Sequence, residues 1–366
     1  MRITRVRSYP VSIELRRPLS TPNLKIAARD YHIAVLDTDA GIDGIGITLR
    51  RGAEISGIIE DLLAPLLIGE DPRYTEGLWH RLYRKTMYVG RHGLLMRALG
   101  AIDIALWDIK GKALGEPVFR LLGGYRDRVP VLLVGGYYEE GKGPQALGHD
   151  MAQYAHKGFS RLKFVAGGLT PEQDRERIAA VREAVGPNVA LVVDINWAWQ
   201  HAKDATAAAR LWEPYQLEWI EDPFLPENIP AYVEFRRGSP VKVAVGDEQS
   251  GMGLFRDLLI NNGIDVLRAD TAVLGGITPA LKVWALAAVW DLPVSPHIFP
   301  EINIHLVAAY RNGYAVEMFA EDTELYKLEE LEKNPLTPTE GMLEVPKRPG
   351  LGIELNWEAV ENARIR

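Results

Sequence analysis

The stretch from Val189 to Glu248 decides the fold, because it repeats one short pattern three times. Residues 189–196 read VALVVDIN, residues 217–222 read LEWIED, and residues 241–248 read VKVAVGDE. Each segment is a short apolar run that closes on polar or acidic residues, and a helix-like segment follows it. Such alternation is typical of consecutive βα units with parallel strands. The stretch therefore predicts part of a parallel α/β fold.

The same pattern extends to both sides and recurs at intervals of about 20 to 35 residues, the length of one βα unit. Eight runs can be counted: Val129–Gly136, Arg161–Val165, Val189–Asn196, Leu217–Asp222, Val241–Glu248, Asp265–Asp270, Leu292–His297 and Ala315–Phe319. Eight βα units in series predict a (β/α)₈ barrel, which we place at residues 126–334.

The first third of the chain has a different pattern and predicts a small α+β unit at residues 1–125. Residues 1–47 predict a three-stranded meander, with a polar loop from Arg16 to Ile26 between the first two strands. The period then becomes helical, most clearly from Leu94 to Leu114. Residues 335–366 are punctuated by Pro and Gly, and we expect them to return to the N-terminal unit as a covering strand.

The composition is that of an ordinary globular protein and disfavours several classes of function. Of the 366 residues, 47% are hydrophobic and 25% are charged, and the net charge is −7, which indicates no nucleic-acid surface. The absence of cysteine excludes disulfides, thiolate nucleophiles and zinc–thiolate sites. No run approaches the ~18 apolar residues of a membrane span. No signal-peptide pattern is visible either, so we expect a cytoplasmic protein without membrane partners.

Three consecutive runs end in an acidic residue at the same level, namely Asp194, Glu221 and Asp247. Active sites of parallel barrels lie at the C-terminal strand ends, so these side chains are expected to meet. Close carboxylates repel one another unless a cation lies among them, and Mg²⁺ prefers hard oxygen ligands. Singly, each acid is better explained as a cap of a helix or strand. Three in register favour one Mg²⁺ per active site.

Two later runs end in Asp270 and His297, which predicts a general acid and base. A neighbouring carboxylate fixes the imidazole tautomer, and we expect it to raise the basicity of His297 toward neutral pH. A lone buried histidine more often has a structural role, but these adjacent strand ends favour catalysis. The eighth run carries Glu317, for which a role at the site and pairing with a nearby Lys or Arg are equally good explanations.

Residues 98–112, ALGAIDIALWDIKGK, with the following Pro117-Val118 and Leu121-Leu122-Gly123, resemble the helix signature of mandelate racemase and muconate-lactonising enzymes of the enolase superfamily. Pro349–Gly352 resembles the segment before that family's final strand. The strand-end series is similar to the family's order of three metal ligands, an Asp–His dyad and a hydrogen-bonding Glu: Asp194, Glu221, Asp247, Asp270, His297 and Glu317.

The resemblance implies a modified TIM-like barrel with an α+β capping domain that the C-terminal segment completes. It also implies one Mg²⁺, abstraction of the proton alpha to a carboxylate, and a homo-oligomer between dimer and octamer. The chemistry agrees, because a dication on the carboxylate supplies the charge stabilisation that makes such a proton removable.

One position departs from the family's pattern. The second barrel strand of the family usually carries Lys-x-Lys, whereas residues 158–165 read GFSRLKFV. Lys163 matches the first Lys, which neutralises the bound carboxylate, and Val165 stands at the second, where it cannot accept a proton. A register slip that pairs Arg161 with Lys163 stays open, although the spacing from Gly158 disfavours it.

Because His297 is the only base expected at the reacting carbon, one-base chemistry is favoured. His297 would take the alpha proton and then protonate the departing beta hydroxyl, which predicts an acid-sugar dehydratase acting on an aldonate or aldarate. The product would be a 2-keto-3-deoxy acid. Two alternatives stay open: an epimerase, racemase or cycloisomerase of the same superfamily that uses Lys163 as a second base, and a catalytically impaired barrel that only binds a ligand.

The cap is expected to close over the barrel mouth and to set specificity. Candidates for contact with an acid-sugar substrate are Lys25, Arg50 and Arg51 from the cap and Tyr137, Asn196 and Trp197 from the barrel loops. Each cation taken alone is better explained as a solvated surface charge. The aromatic side chains fit packing under the cap equally well.

Overall fold

The computed structural model describes residues 1–365, in which a three-stranded sheet precedes a closed parallel barrel. The sheet consists of β1 (Ile3–Ser20), β2 (Lys25–Thr38) and β3 (Asp43–Leu49), each antiparallel to its neighbour. The predicted meander is confirmed, but the predicted loop at 16–26 is wrong. The two strands continue as a hairpin, with Leu19 opposite Ile26, and leave only residues 21–24 in the turn. Burial of these two apolar side chains beside the barrel explains the extension.

Helices cover one face of this sheet. A π-helical turn (Ile58–Leu63) and a 3₁₀ turn (Ala64–Leu66) precede α1 (Thr75–Thr86), α2 (Leu94–Leu114) and α3 (Val118–Leu121). The predicted helix at 94–114 is therefore confirmed with the same bounds. Its backbone lies directly on β3, where a Cβ atom at Gly46 would overlap the carbonyl oxygen of Ala101. Only glycine permits this approach of helix and sheet.

We expect Gly46→Ala to lower the thermal midpoint, because α2 would have to move away from the sheet. Overpacking of a tight core costs about 1–3 kcal/mol. Gly77→Ala is the matched control, since a Cβ atom there meets nothing within 4 Å and the site lies inside α1. That change should leave stability unchanged or raise it by up to about 1 kcal/mol. Scanning calorimetry compares the two, and equal midpoints would contradict the proposed contact.

The barrel begins at β4, and its strands are all parallel. They are β4 (Arg128–Val134), β5 (Arg161–Val165), β6 (Ala190–Asp194), β7 (Trp219–Glu221), β8 (Val243–Val245), β9 (Val266–Leu267) and β10 (Val316–Phe319). Strand β10 pairs with β4 and closes the ring.

The seventh predicted run, residues 292–297, fills the eighth position without forming a strand. Val294 makes single parallel bridges to Leu267 on one side and to Gly313 on the other. Pro293 and Pro296 flank it, and neither can donate a ladder hydrogen bond, which explains the reduced pairing.

Helices follow the strands around the outside: α4 (Pro144–His156), α5 (Pro171–Val185), α6 (Ala202–Trp212), α7 (Ile229–Gly238), α8 (Met252–Ile260), α9 (Thr271–Leu274), α10 (Ile277–Val289) and α11 (Pro300–Ala309). Three short 3₁₀ turns lie at Glu213–Tyr215, Glu321–Thr323 and Leu328–Leu331. Inside the barrel, Val192, Trp219, Ala244 and Val266 pack together. This plug fills the interior and leaves the C-terminal strand ends as the place for a site.

The C-terminal segment contacts both parts of the fold. Strand β11 (Met342–Glu344) pairs antiparallel with β4 of the barrel. Helix α12 (Trp357–Ala363) then packs on β1, with the rings of Trp357 and Tyr9 at 5.2 Å. The expected covering strand is wrong, because Asn356 caps a helix there and only Arg364 forms a single bridge to the sheet.

The division into residues 1–125, 126–334 and 335–366 stays a prediction. Among residues 1–365, no helix combines the length and apolarity needed to cross a bilayer.

Candidate active site

A cavity of about 330 Å³ lies at the C-terminal ends of the barrel strands, under the β1–β2 hairpin. This volume suits a small molecule, since such sites measure roughly 300–1,000 Å³. Strand ends and barrel loops supply Tyr137, Lys163, Asp194, Asn196, Trp197, Asp247, Glu248, His297, Glu317 and Phe319. The N-terminal sheet and its loops supply Thr21, Asn23, Leu24, Ile26, Arg29 and Arg51. We call these two groups the floor and the roof of the cavity.

The three predicted metal ligands meet at the floor. Asp194, Glu221 and Asp247 each offer a carboxylate oxygen, and these atoms lie within 4.8 Å of one another. Parallel pairing explains their common level, because Asp194 is the register partner of Glu221. Burial raises the pKa of Asp194 to about 6 and holds the pKa of Asp247 well above its usual range. The floor therefore concentrates negative charge in a buried place.

A divalent cation fits this group of carboxylates. Asp247 Oδ1 is buried and accepts no hydrogen bond from any described residue, although Arg268 Nε lies 3.4 Å away. Buried carboxylate oxygens are expected to be hydrogen-bonded or to coordinate a metal. A hard cation among three carboxylates would satisfy this oxygen and remove their mutual repulsion.

Two buried cations, Lys163 and Arg268, flank the carboxylates. Lys163 Nζ lies 2.5 Å from Glu221 Oε1, 2.8 Å from Glu317 Oε2 and 3.3 Å from Asp194 Oδ2. Arg268 Nε lies 3.0 Å from Glu221 Oε2, and its Nη2 donates to Glu317. Glu317 thus lines the cavity and also pairs with both cations. Arg268 was not predicted, although a charged residue inside the apolar run 265–270 was a visible signal.

The charge state of Lys163 follows from these contacts. Burial alone would lower its pKa, but the carboxylates of Glu221 and Glu317 outweigh burial and hold the pKa well above the ordinary value. Lys163 is therefore an ammonium group at neutral pH. An ammonium binds an anion and cannot accept a proton, which disfavours Lys163 as a second base.

The predicted dyad is formed. His297 Nδ1 lies 2.8 Å from Asp270 Oδ2, and Asp270 Oδ1 accepts backbone hydrogen bonds from Ala272 and Val273 at the start of α9. Because the carboxylate accepts, Nδ1 carries the proton and Nε2 is left with a lone pair. Nε2 lies 3.7 Å from Asp247 Oδ2, so it faces the metal ligands.

The expected increase in the basicity of His297 is wrong for this geometry. Burial lowers the pKa of His297 well below its ordinary value, and the positive charges of Lys163 and Arg268 act in the same direction. Burial also raises the pKa of Asp270 to about 7. The imidazole is therefore neutral and ready to accept a proton at Nε2.

Backbone geometry after His297 was missed by sequence reasoning. Ile298 and Phe299 have φ of 42° and 51°, and two consecutive non-glycine residues in this region are uncommon. Asn303 Nδ2 holds the bend by donating to the carbonyl oxygens of His297 and Ile298. The bend ends the run 292–297 with the imidazole at the cavity.

The resemblance predicts that Val165 takes the place of the family's second Lys. Its side chain is 2% exposed and packs with Leu15, Leu19, Ile26 and Tyr137 under the hairpin. The register slip involving Arg161 is excluded, because the Arg161 guanidinium lies over the Tyr314 ring at 5.1 Å, away from the cavity lining. Among the described residues, the second-base position is thus apolar.

The predicted substrate contacts divide into two groups. Arg51, Tyr137, Asn196 and Trp197 line the cavity, although Arg51 is paired with Glu248 at 2.5 Å. Asn196 accepts hydrogen bonds from Thr21 and Asn23 at the hairpin tip, so it holds the roof in place.

Lys25 and Arg50 are not brought to the cavity, which corrects their prediction. Lys25 is exposed, because the alternation of β2 points the next residue, Ile26, inward. Arg50 is buried, and its Nε donates to the carbonyl oxygen of Ala53. Arg29 lines the cavity instead and was missed. The pairing of β1 with β2 is irregular between Ile26 and Ala28, and this irregularity changes which residues of β2 are buried.

Comparison with known proteins gives matches over almost the whole chain. The family model "Mandelate racemase / muconate lactonizing enzyme, N-terminal domain" matches residues 3–123, and "Enolase C-terminal domain-like" matches residues 146–360. D-galactarolactone cycloisomerase of Agrobacterium fabrum is 29% identical, covering 100% of this chain and 99% of its own. Arabinonate dehydratase of Saccharolobus solfataricus is 31% identical over 90% of both chains.

Among solved structures, L-talarate dehydratase from Polaromonas sp., complexed with Mg and L-glucarate, superimposes with a TM-score of 0.87. It is 30% identical, and the match covers 100% of this chain and 98% of that chain. The similarity therefore includes both the N-terminal sheet and the barrel, and it does not rest on either part alone.

Proposed function

Since the chain belongs to the mandelate racemase and muconate lactonizing enzyme family of the enolase superfamily, we propose that this enzyme is an acid-sugar dehydratase. It would remove the proton alpha to a carboxylate, eliminate the beta hydroxyl as water and yield a 2-keto-3-deoxy acid. One observation carries the proposal: the cavity presents a single unprotonated base, His297, while the position of a second base is Val165 in an apolar cluster.

The cofactor is Mg²⁺, and we propose Asp194, Glu221 and Asp247 as its ligands. When bound, Mg²⁺ supplies positive charge that stabilises the negative charge developing on the substrate carboxylate. The Lys163 ammonium holds the same carboxylate from the second strand and orients the alpha carbon. Arg268 lowers the pKa of Glu221 beneath it and also pairs with Glu317.

His297 performs both proton transfers in this proposal. Nε2 takes the alpha proton, and Asp270 stabilises the resulting imidazolium through the Nδ1 hydrogen bond. The imidazolium then returns a proton to the beta hydroxyl on the same face. The carbon–oxygen bond breaks, water leaves, and the enol product tautomerises to the keto acid. A racemase needs a second proton carrier on the opposite face. Val165 carries no proton, and Glu221 and Glu317 hold the proton of Lys163 tightly, so we assign Lys163 to binding the carboxylate and not to proton exchange.

Cycloisomerisation is the second candidate, and a relative matching this chain over its full length carries that activity in its name. The chemistry differs only in the substrate. If the beta oxygen belongs to a ring, the same elimination opens the ring, releases no water and is an isomerisation. The residues of the floor would have the same roles in both reactions.

Incubation with Mg²⁺ and a panel of aldonates, aldarates and their lactones distinguishes the candidates. We expect a 2-keto acid whose mass is lower than that of the substrate by one water, detected by mass spectrometry and carbonyl derivatisation. A 2-keto product of unchanged mass would replace the dehydratase by a cycloisomerase. An epimer without a keto group would indicate a racemase, and binding without any conversion a barrel that only binds its ligand.

A further inference from the structure

The roof of the cavity contains a buried cation that the proposed chemistry does not use. Arg29 on β2 is 5% exposed and lines the cavity. Its Nε donates to the carbonyl oxygen of Leu325 at 2.6 Å, and its guanidinium lies 5.4 Å from the centroid of the Phe319 ring. A backbone carbonyl uses one of the five donor hydrogens of a guanidinium and offsets none of its net charge.

Each of the other cations of the cavity forms an ion pair with a carboxylate. Arg51 pairs with Glu248, a carboxylate that Arg97 also contacts, and Lys163 lies within 3.3 Å of the carboxylates of Asp194, Glu221 and Glu317. For Arg29, no carboxylate of residues 1–365 lies within ion-pair distance, and the titratable groups that act on it most are three tyrosines and Arg51. The roof therefore has positive charge without a counter-ion.

An unpaired buried charge is unfavourable, and burial correspondingly lowers the pKa of Arg29. A hydroxyl group of a substrate could accept a hydrogen bond there but would not offset the charge. A carboxylate would do both, because its two oxygens match the paired donors of a guanidinium. The unmatched charge thus favours an anionic group.

Two further donors lie at the same cavity. Tyr137 lines it with no hydrogen bond to its hydroxyl from the described residues, and the indole N–H of Trp197 is buried without a partner. Both groups donate without adding charge, and they belong to the loops after β4 and β6. Together with Arg29 they give the cavity a set of one cation and two neutral donors, separate from Lys163 and the three proposed metal ligands.

We infer that the substrate is a diacid, an aldarate or a lactone derived from one, whose second carboxylate binds Arg29. This inference rests on the proposed function, because the reacting carboxylate is assigned to Lys163 and the metal ligands at the floor. The reacting end of the substrate is then bound at the ends of the barrel strands, and the distal carboxylate is bound by Arg29 of the N-terminal sheet.

Pairs of acids that differ only at the distal carbon test the inference. An aldarate and the aldonate of the same configuration carry a carboxylate and a hydroxymethyl group there. We expect the wild-type enzyme to prefer the aldarate in kcat/KM by about 10- to 100-fold, the usual effect of a hydrogen bond to a charged group. Preference for the aldonate in every pair that reacts would overturn the inference.

Arg29→Gln removes the charge and keeps a donor on the side chain. It should lower kcat/KM for the aldarate by about 10- to 100-fold and change that for the aldonate by less than about threefold, so that the preference is lost. Arg16→Gln is the matched control, since it removes the same charge from the same hairpin at a side chain that is exposed and outside the cavity. Equal losses for both acids in Arg29→Gln would assign Arg29 to the structure of the hairpin and overturn the inference.

A binding measurement separates this inference from the proposed reaction. If no acid of the panel reacts, the dehydratase proposal fails, and calorimetric titration of the Mg²⁺-loaded wild type and Arg29→Gln with the aldarates still decides the role of Arg29. Weaker aldarate binding by 10- to 100-fold in the variant supports a carboxylate subsite. Unchanged binding, or no binding to either protein, overturns it.

Discussion

Replacement of His297 by asparagine is expected to eliminate turnover and also the exchange of the substrate's alpha proton with deuterated solvent. Loss of one general acid or base commonly removes about 10²- to 10⁴-fold in rate, and a group that serves in both steps should reach the upper end. Asparagine retains a donor for Asp270 but cannot carry a proton, so the change removes proton transfer while the hydrogen bond that orders the strand end can remain.

Isotope exchange is the sharper of the two readouts. NMR of substrate recovered from D₂O should show no deuterium at the alpha carbon with the asparagine variant. His149→Asn is the control, because this histidine is exposed on α4, lies outside the cavity lining and hydrogen-bonds to Gln153. An alpha-deuterium signal in the His297 variant would reveal a base on the opposite face, and the one-base mechanism would then be wrong.

Replacement of Asp247 by asparagine is expected to weaken Mg²⁺ binding by about 100-fold or more, since loss of a residue that merely supports a ligand already costs 10- to 100-fold. Chelation of the wild type should likewise abolish activity. Calorimetric titration with Mg²⁺ measures the affinity directly. Asp257→Asn is the control, because that carboxylate is exposed and pairs with Arg256 outside the site. An unchanged affinity in the Asp247 variant would remove this residue from the metal site.

The same variant should be more stable than the wild type when no metal is present. The folded-state pKa of Asp247 is raised above its ordinary value by burial and by Glu221 and Asp222, so its charged form opposes folding at neutral pH. Asparagine removes that charge. We expect a higher thermal midpoint for the metal-free variant and little further rise with Mg²⁺, whereas the wild type should gain stability as Mg²⁺ saturates it. A lower metal-free midpoint would contradict the repulsion inferred among the three carboxylates.

The parts of the site that sequence reasoning predicted depend on local pattern. Asp194, Glu221 and Asp247 each close an apolar run, and parallel pairing converts equal positions in successive runs into one level in space. His297 and Asp270 follow the same rule. These residues were found because the distance between them is set by strand spacing, which is the same in every parallel barrel.

The roof depends on contacts that no local pattern contains. Arg29 reaches the cavity because β1 and β2 continue as a hairpin over the barrel and because Leu325, 296 residues away, receives its hydrogen bond. Whether Lys25 or a neighbouring residue faces the cavity depends on which face of β2 turns toward the barrel. A shift of one residue reverses the outcome. Arg268 was missed for a different reason. An arginine in the sequence is expected at the surface, and its burial follows only from its pairing with Glu221 and Glu317 in the folded chain.

The hydrogen bonds from Thr21 and Asn23 to Asn196 affect how substrate enters the cavity and how product leaves it. Neutral hydroxyl and amide groups thus hold the tip of the hairpin to the loop after β6, whereas ion pairs of Arg16 with Glu324 and of Arg17 with Glu139 hold its stem. Dissolved salt screens charges but leaves neutral hydrogen bonds largely unaffected. Rising ionic strength should therefore loosen the stem before the tip, and it should also weaken the attraction of an anionic substrate to the cavity.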